Sequence, residues 1–149
     1  MAKQHQEEKS NAYSFVLKRI DLIEKSLNIF NRKEKKIDYD FGIGIQIMPN
    51  PTDNQSFHIM SVKIFPKGQE REIIATFRLG FIFEIFDLEN IAITNEIGIT
   101  LPENLLNLLN AVAIGTMRGV IFSELRGTQI DDAILPVLDP SKFQREANT

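Results

Sequence analysis

"TFRLGFIFEIF", residues 76–86, carries four phenylalanines in a short stretch, and its period decides the fold class. Read at period two, Phe77, Leu79, Phe81, Phe83 and Ile85 fall on one face and Arg78, Gly80, Ile82, Glu84 and Phe86 on the other. The stretch reads as a strand with one wholly apolar face. Its second face keeps Ile82 and Phe86 beside two charges, so a further neighbour is expected there: a helix, another subunit or a bound partner.

Strands precede it. "FGIGIQI" (41–47) alternates cleanly, with Phe41, Ile43, Ile45 and Ile47 on one face and small residues on the other. "FHIMSVKIF" (57–65) reads as a third strand, set between the turn signals "NPTDNQ" (50–55) and "PKGQE" (66–70), and residues 71–86 form the fourth. Upstream, "YSFVLKRIDLIEKSLNIF" (13–30) pairs Phe15 with Leu17, Ile20 with Leu22 and Leu27 with Ile29, the register slipping between pairs. That pattern predicts a long strand with a bulge or bend, or two short strands, with a helix as the rival. The charged "NRKEKK" (31–36) is a connection, and residues 1–11 read as a mobile tail before a single domain over 12–149.

After residue 86 the chain changes character. "TLPENLLNLLNAVAIGTMRGVIFSELRG" (100–127) has the helical period, with Thr100 and Glu103 as a capping pair, Pro102 in the first turn and Gly127 as the stop. The expected helix has about 26 residues. Its apolar residues wrap too widely for one sheet face, so a second partner is implied. Gly115 and Gly119, four apart, would let a neighbouring backbone come close, whether inside the chain or between subunits. Asn107, Asn110 and Arg118 exclude a membrane-spanning pair of that kind. "AILPVLDPSKF" (133–143) then runs extended through Pro136 into a short helix starting near Asp139. The fold class is therefore α+β: a four-stranded antiparallel sheet, a long helix and a short C-terminal helix.

Composition bounds the function. The chain has 149 residues, 43% apolar, enough for one domain with its own core. A net charge of −3 gives no electrostatic footprint for nucleic acid. There is no cysteine, which removes disulfides, thiolate nucleophiles and cysteine metal sites. The polar start "MAKQHQEEKSNAY" lacks a signal-peptide core, so a soluble cytoplasmic protein is expected.

Catalysis finds no foothold. His5 lies in the tail, and His58, alone in a strand, reads as a surface or hydrogen-bonded structural residue. Asp131 and Asp132 are adjacent acids without further oxygen ligands at fixed spacing, "GIG" (42–44) opens no helix, and no serine has a nucleophile-elbow context. No enzyme, metal or cofactor is expected.

The order of parts resembles the SecB family of bacterial export chaperones. The residues that carry the resemblance are "YSFVLKRIDL" (13–22), "GFIFEI" (80–85) and "LRGTQIDDAILPVLDPSKF" (125–143), the last similar to the family's Arg-Gly-Thr, Pro-Val and terminal helix. The resemblance implies a Greek-key sheet and an ATP-independent holdase. It also implies a homotetramer, built as a dimer of dimers, that binds unfolded polypeptides in hydrophobic grooves and delivers them for protein transport. The groove residues expected here are Phe41, Ile43, Ile45, Leu135 and Leu138, and the subunit contact Ile82, Phe86, Gly115 and Gly119. On the positions where the family docks its translocation motor, Glu24 and Ile74 fall, with Asn28 and Thr76 where acids are expected. Divergent relatives serve toxin–antitoxin systems by binding an antitoxin, which is the alternative partner. A carrier of a small apolar ligand, held between sheet and helix, is the alternative from another class.

Overall fold

The computed structural model describes residues 13–28 and 37–143. The tail read over residues 1–11, with His5, and Ile29 and the connection at 31–36 lie outside them. Four strands, β1 (Phe15–Leu27), β2 (Tyr39–Asn50), β3 (Gln55–Pro66) and β4 (Ala75–Ile85), form one antiparallel sheet in the order β1-β4-β3-β2. Two hairpins join β2, β3 and β4, while β1 returns to pair with β4 at the far edge, which is a Greek key. A four-residue helix α1 (Leu88–Ile91) and a small hairpin of β5 (Ile93–Asn95) and β6 (Gly98–Thr100) lead into the long helix α2 (Glu103–Leu125). Beyond it lie an extended stretch and a 3-10 turn at Pro140–Phe143.

The sequence pattern explains each strand. In β4 the apolar row Phe77, Leu79, Phe81, Phe83 and Ile85 is at most 1% exposed, so the period read from the opening stretch is a face pressed into the core. Strand β4 starts at Ala75, not 71, because Gln69 and Glu72 donate backbone bonds to Pro66 and Gln69 and close a turn first. The slipping pairs of β1 are two irregularities of register, between Leu17 and Arg19 and between Leu22 and Glu24. Each one brings the next apolar residue back to the same face: Phe15, Leu17, Ile20, Leu22 and Leu27 all stand opposite inward-facing residues of β4.

Helix α2 lies on the inner face of the sheet. Its buried residues include Leu105, Leu109, Ala113, Met117, Ile121 and Leu125, which meet the β3 row of Met60, Val62 and Ile64 and the β4 row in one cluster. Its length and hydropathy would suit a membrane span, yet nine of its side chains are buried against the protein. Thr100 does not cap it: Pro102 holds the cap position, and the Thr100 hydroxyl donates to the Leu101 carbonyl. At the other end Gly127, at φ 78°, turns the chain in the left-handed region where glycine carries no Cβ penalty. Asp139 caps the last turn as its sequence suggested, accepting from the Ser141 amide and hydroxyl, and those bonds hold its carboxyl below the usual range. The short helix expected from Asp139 onward is a 3-10 turn within the described residues.

The widths of the layers leave a consequence. One helix, 10–12 Å across, covers about two strands spaced ~4.8 Å apart. Among the described elements only α2 lies along the sheet, so β3 and β4 are sealed and the inner rows of the two edge strands are not. On β1, Ile20, Leu22 and Leu27 are 44%, 48% and 37% exposed. On β2, Phe41, Ile43 and Ile47 are half-buried, while Ile45 reaches the core.

Candidate functional site

An open cleft of about 610 Å³ lies beside β2. Ile37, Tyr39, Phe41 and Ile43 form one wall, and Ile134, Pro136 and Leu138 form the other. The second wall is the extended stretch after α2. It is tied to the helix by Arg118, whose Nε and Nη2 donate to the Leu135 and Pro136 carbonyls, both at 2.9 Å. Extended backbone sends alternate side chains to opposite sides, so Ile134, Pro136 and Leu138 share one side and Leu135 takes the other. Leu135 is accordingly 1% exposed and belongs to the core. At one end the walls are linked by the Tyr39 hydroxyl, which donates to Asp132 at 2.8 Å.

Of the five groove residues expected, Phe41, Ile43 and Leu138 come together here, and Ile45 and Leu135 do not. Sequence reading missed Ile37, Tyr39, Ile134 and Pro136. The parity of "ILPVL" (134–138) carried that signal, since period two groups 134, 136 and 138 and sets 135 apart.

The rim is acidic: Asp38, Asp40 and Asp132 line it. Strand β2 is an edge strand, so its outer backbone groups have no strand beside them among the described residues. An extended polypeptide could add along such an edge, with side chains entering the cleft at alternate positions.

The outer face of the sheet is of another kind. A second open concavity, of about 780 Å³, is lined by Glu24, Gly42, Gly44, Ser61, Lys63, Thr76 and Arg78, together with Ile43 and Ile73. Glu24 stands opposite Arg78 there. Ile74 is 3% exposed, just before β4, and presents no side chain to a partner. Ile82 is half-buried on the same outer face, opposite Phe57, and Phe86, past the strand end, is 75% exposed. No described element covers that second face. On α2, Gly115 and Gly119 are exposed, with open space where a Cβ would stand.

Of the two readings of His58, the hydrogen-bonded structural one holds and the surface one does not. His58 lies fully buried in β3, opposite Phe81 and Ile47, with its Nε2 3.0 Å from the Ser56 hydroxyl and its ring edge-to-face with Phe83 at 5.0 Å. Burial pushes its pKa down to about 4, so it is neutral in the core. Among the described residues, His58 Nδ1 and the buried side chain of Asn110 on α2 find no hydrogen-bond partner. Among the described residues there is no group of three His, Cys, Asp or Glu side chains placed to hold a metal ion.

No protein-family model matches the sequence, and no curated protein does. Among solved structures, the chain is similar to the Mycobacterium tuberculosis SecB-like chaperone Rv1957, solved in complex with a ChAD peptide from the Rv1956 HigA1 antitoxin. The TM-score is 0.59 at 13% identity, over 83% of this chain and 89% of that one. The fold is SecB-like. The resemblance read from short motifs thus holds for the architecture, at an identity too low to carry function by itself.

Proposed function

We propose that this chain is an ATP-independent holdase, which binds extended apolar segments of unfolded polypeptides in the cleft between β2 and residues 134–138. The observation that carries this reading is the cleft itself: half-buried apolar side chains on an open sheet edge, facing a second apolar wall held in place by Arg118. A holdase has to show apolar surface and still stay dispersed. The acidic rim serves both needs, because it repels other copies and favours client segments with basic flanks. Binding acts by mass action on the unfolded state, without chemistry and without a cofactor.

The uncovered apolar row of β1 and the exposed Leu108 and Phe122 of α2 support assembly of several copies, with Gly115 and Gly119 at the centre of the contact. A tetramer arranged as a dimer of dimers fits this reading, as does one domain over residues 12–149 acting in the cytoplasm. Outer-face residues Ile82 and Phe86 remain open for a further contact. Docking of a translocation motor would fall to Glu24 alone of the pair Glu24 and Ile74, since Ile74 is buried.

The similarity to a SecB-like chaperone solved with an antitoxin peptide favours a more specific version, in which the client is an antitoxin's exposed segment. A closed carrier of a small apolar ligand is disfavoured, because the cleft opens to solvent. The test is the mass of the purified protein by light scattering after size exclusion, with and without an unfolded apolar client. Co-elution of client with an oligomer is expected; a chain that ignores the client would overturn the reading.

A further inference from the structure

Residues 93–99 are exposed throughout, yet they form a regular hairpin. Its turn is Glu96 and Ile97, closed by Asn95, whose Oδ1 accepts from the Ile97 and Gly98 amides at 3.0 Å. Ile93 and Ile99 are 49% and 44% exposed, and Ile97 at the tip is 89% exposed. Cross-strand pairing sets Ile93 with Thr100 and Ile99 with Thr94, so the two isoleucines point to opposite sides. An isolated two-stranded hairpin is marginal in water, and this one has apolar side chains on both faces and two open edges. No other described element covers it.

We infer that this β5–β6 arm grips a second copy of the chain, at the C-terminal end of that copy's α2. The inference rests on the reading of the chain as an assembly of several copies. Three observations select the occupant. First, the arm runs directly into α2, whose exposed Leu108, Gly115, Gly119 and Phe122, with the half-buried Val112 among them, follow spacings of four and three, the seam of a paired helix. The arm therefore continues a surface that itself lacks a partner.

Second, that seam is self-complementary when two copies run antiparallel about Gly115: Leu108 on one lies seven residues before the centre and Phe122 on the other seven after it. Both are exposed, at 48% and 52%, and the glycines between them leave a notch. Third, the levels agree. Glu103 lies twelve residues, roughly 18 Å, from Gly115, and Arg126 eleven residues, roughly 17 Å, on the other side. Antiparallel pairing thus brings Glu103, where the chain passes from the arm into α2, level with Arg126 of the other copy, and the arm carries Glu96 at its tip. Opposite charges meet there, beside the apolar Ile97.

Four variants test this: Glu96→Arg, Arg126→Glu, the two combined, and Ile97→Asp. All three positions are exposed, so the fold is not at stake. The readout is mass by light scattering over a dilution series, with client protection measured on the same samples. Each single charge reversal is expected to raise the dissociation concentration about threefold, and the combined variant to return to near the wild-type value. Ile97→Asp is expected to raise it about tenfold. An assembly unmoved by all four variants overturns the arm contact, as does a combined variant no better than the singles. So does Ile97→Asp that loses client protection at unchanged mass, since the arm would then be holding client. Failure of the holdase reading shows separately, as a wild-type protein that assembles and protects no client.

Discussion

Strands β4 and β2 each carry a row of large apolar residues at period two, and the structure uses them differently. In β4 the apolar row is sealed under α2 to within 1% of exposure; in β2 three of the four members of the row stay half-buried. The difference does not lie in either segment. It comes from sheet order and layer width, because β4 is central, β2 is an edge, and a single helix is about two strands wide. An alternating strand specifies a face to be covered, and its neighbours decide whether core or a transient partner covers it.

The contrast between the two strands is most exposed to large-to-small substitution. Phe81→Ala on β4 is expected to cost about 3–5 kcal/mol in denaturant unfolding, while Phe41→Ala on β2 should cost well under half of that. Equal losses would mean that the β2 row is core. A pH titration of stability sharpens the sealed side. His58 has its pKa lowered from 6.5 to about 4 in the folded chain, so the unfolded state takes up the proton first as pH falls. Its contribution is fully present above pH 6.5 and is lost as pH falls towards 4, a loss of about 3 kcal/mol. His58→Gln, which cannot take the charge, should show a flatter stability profile between those pH values; an unchanged slope would place the titrating group elsewhere.

Smaller effects probe the open side. Tyr39→Phe removes the bond to Asp132 that links the two walls, with an expected cost of about 1 kcal/mol and weaker client binding. Ile134→Asp should change stability by less than about 0.5 kcal/mol, since Ile134 is 54% exposed, while removing much of the affinity for an apolar client. Loss of stability without loss of binding would reverse the assignment of that wall.

Much of this fold was legible wherever a residue's environment follows from local periodicity. The β4 row, the slips that return Ile20 and Leu22 to the inner face, the Gly127 stop and the Asp139 cap are all local patterns. The hairpin at 93–100 was not read: its strands are three residues long, too short for a period, and Asn95 and Gly98 around the Glu96–Ile97 turn were its one local signal. Thr100 has the spacing of a cap, but the chain enters α2 through Pro102, which already fixes the first turn. The cleft was half legible. Phe41, Ile43 and Leu138 follow from apolar patterning, whereas Ile45 and Leu135 were expected in the cleft and sit in the core. Which apolar residue stays open depends on where α2 stops covering the sheet, and no local pattern carries that width. His58 read as a surface or a hydrogen-bonded structural residue, and only the layer above it, which no local pattern carries, decides for the second.

The most direct test of the account is aggregation of a denatured client, followed by light scattering, with the wild-type chain and Ile134→Asp side by side at equal folded concentration. The wild type is expected to suppress scattering and Ile134→Asp to do so much less, with the same unfolding midpoint for both. Equal suppression by the two proteins would move client binding away from the β2 cleft, and no suppression by either would contradict the holdase function.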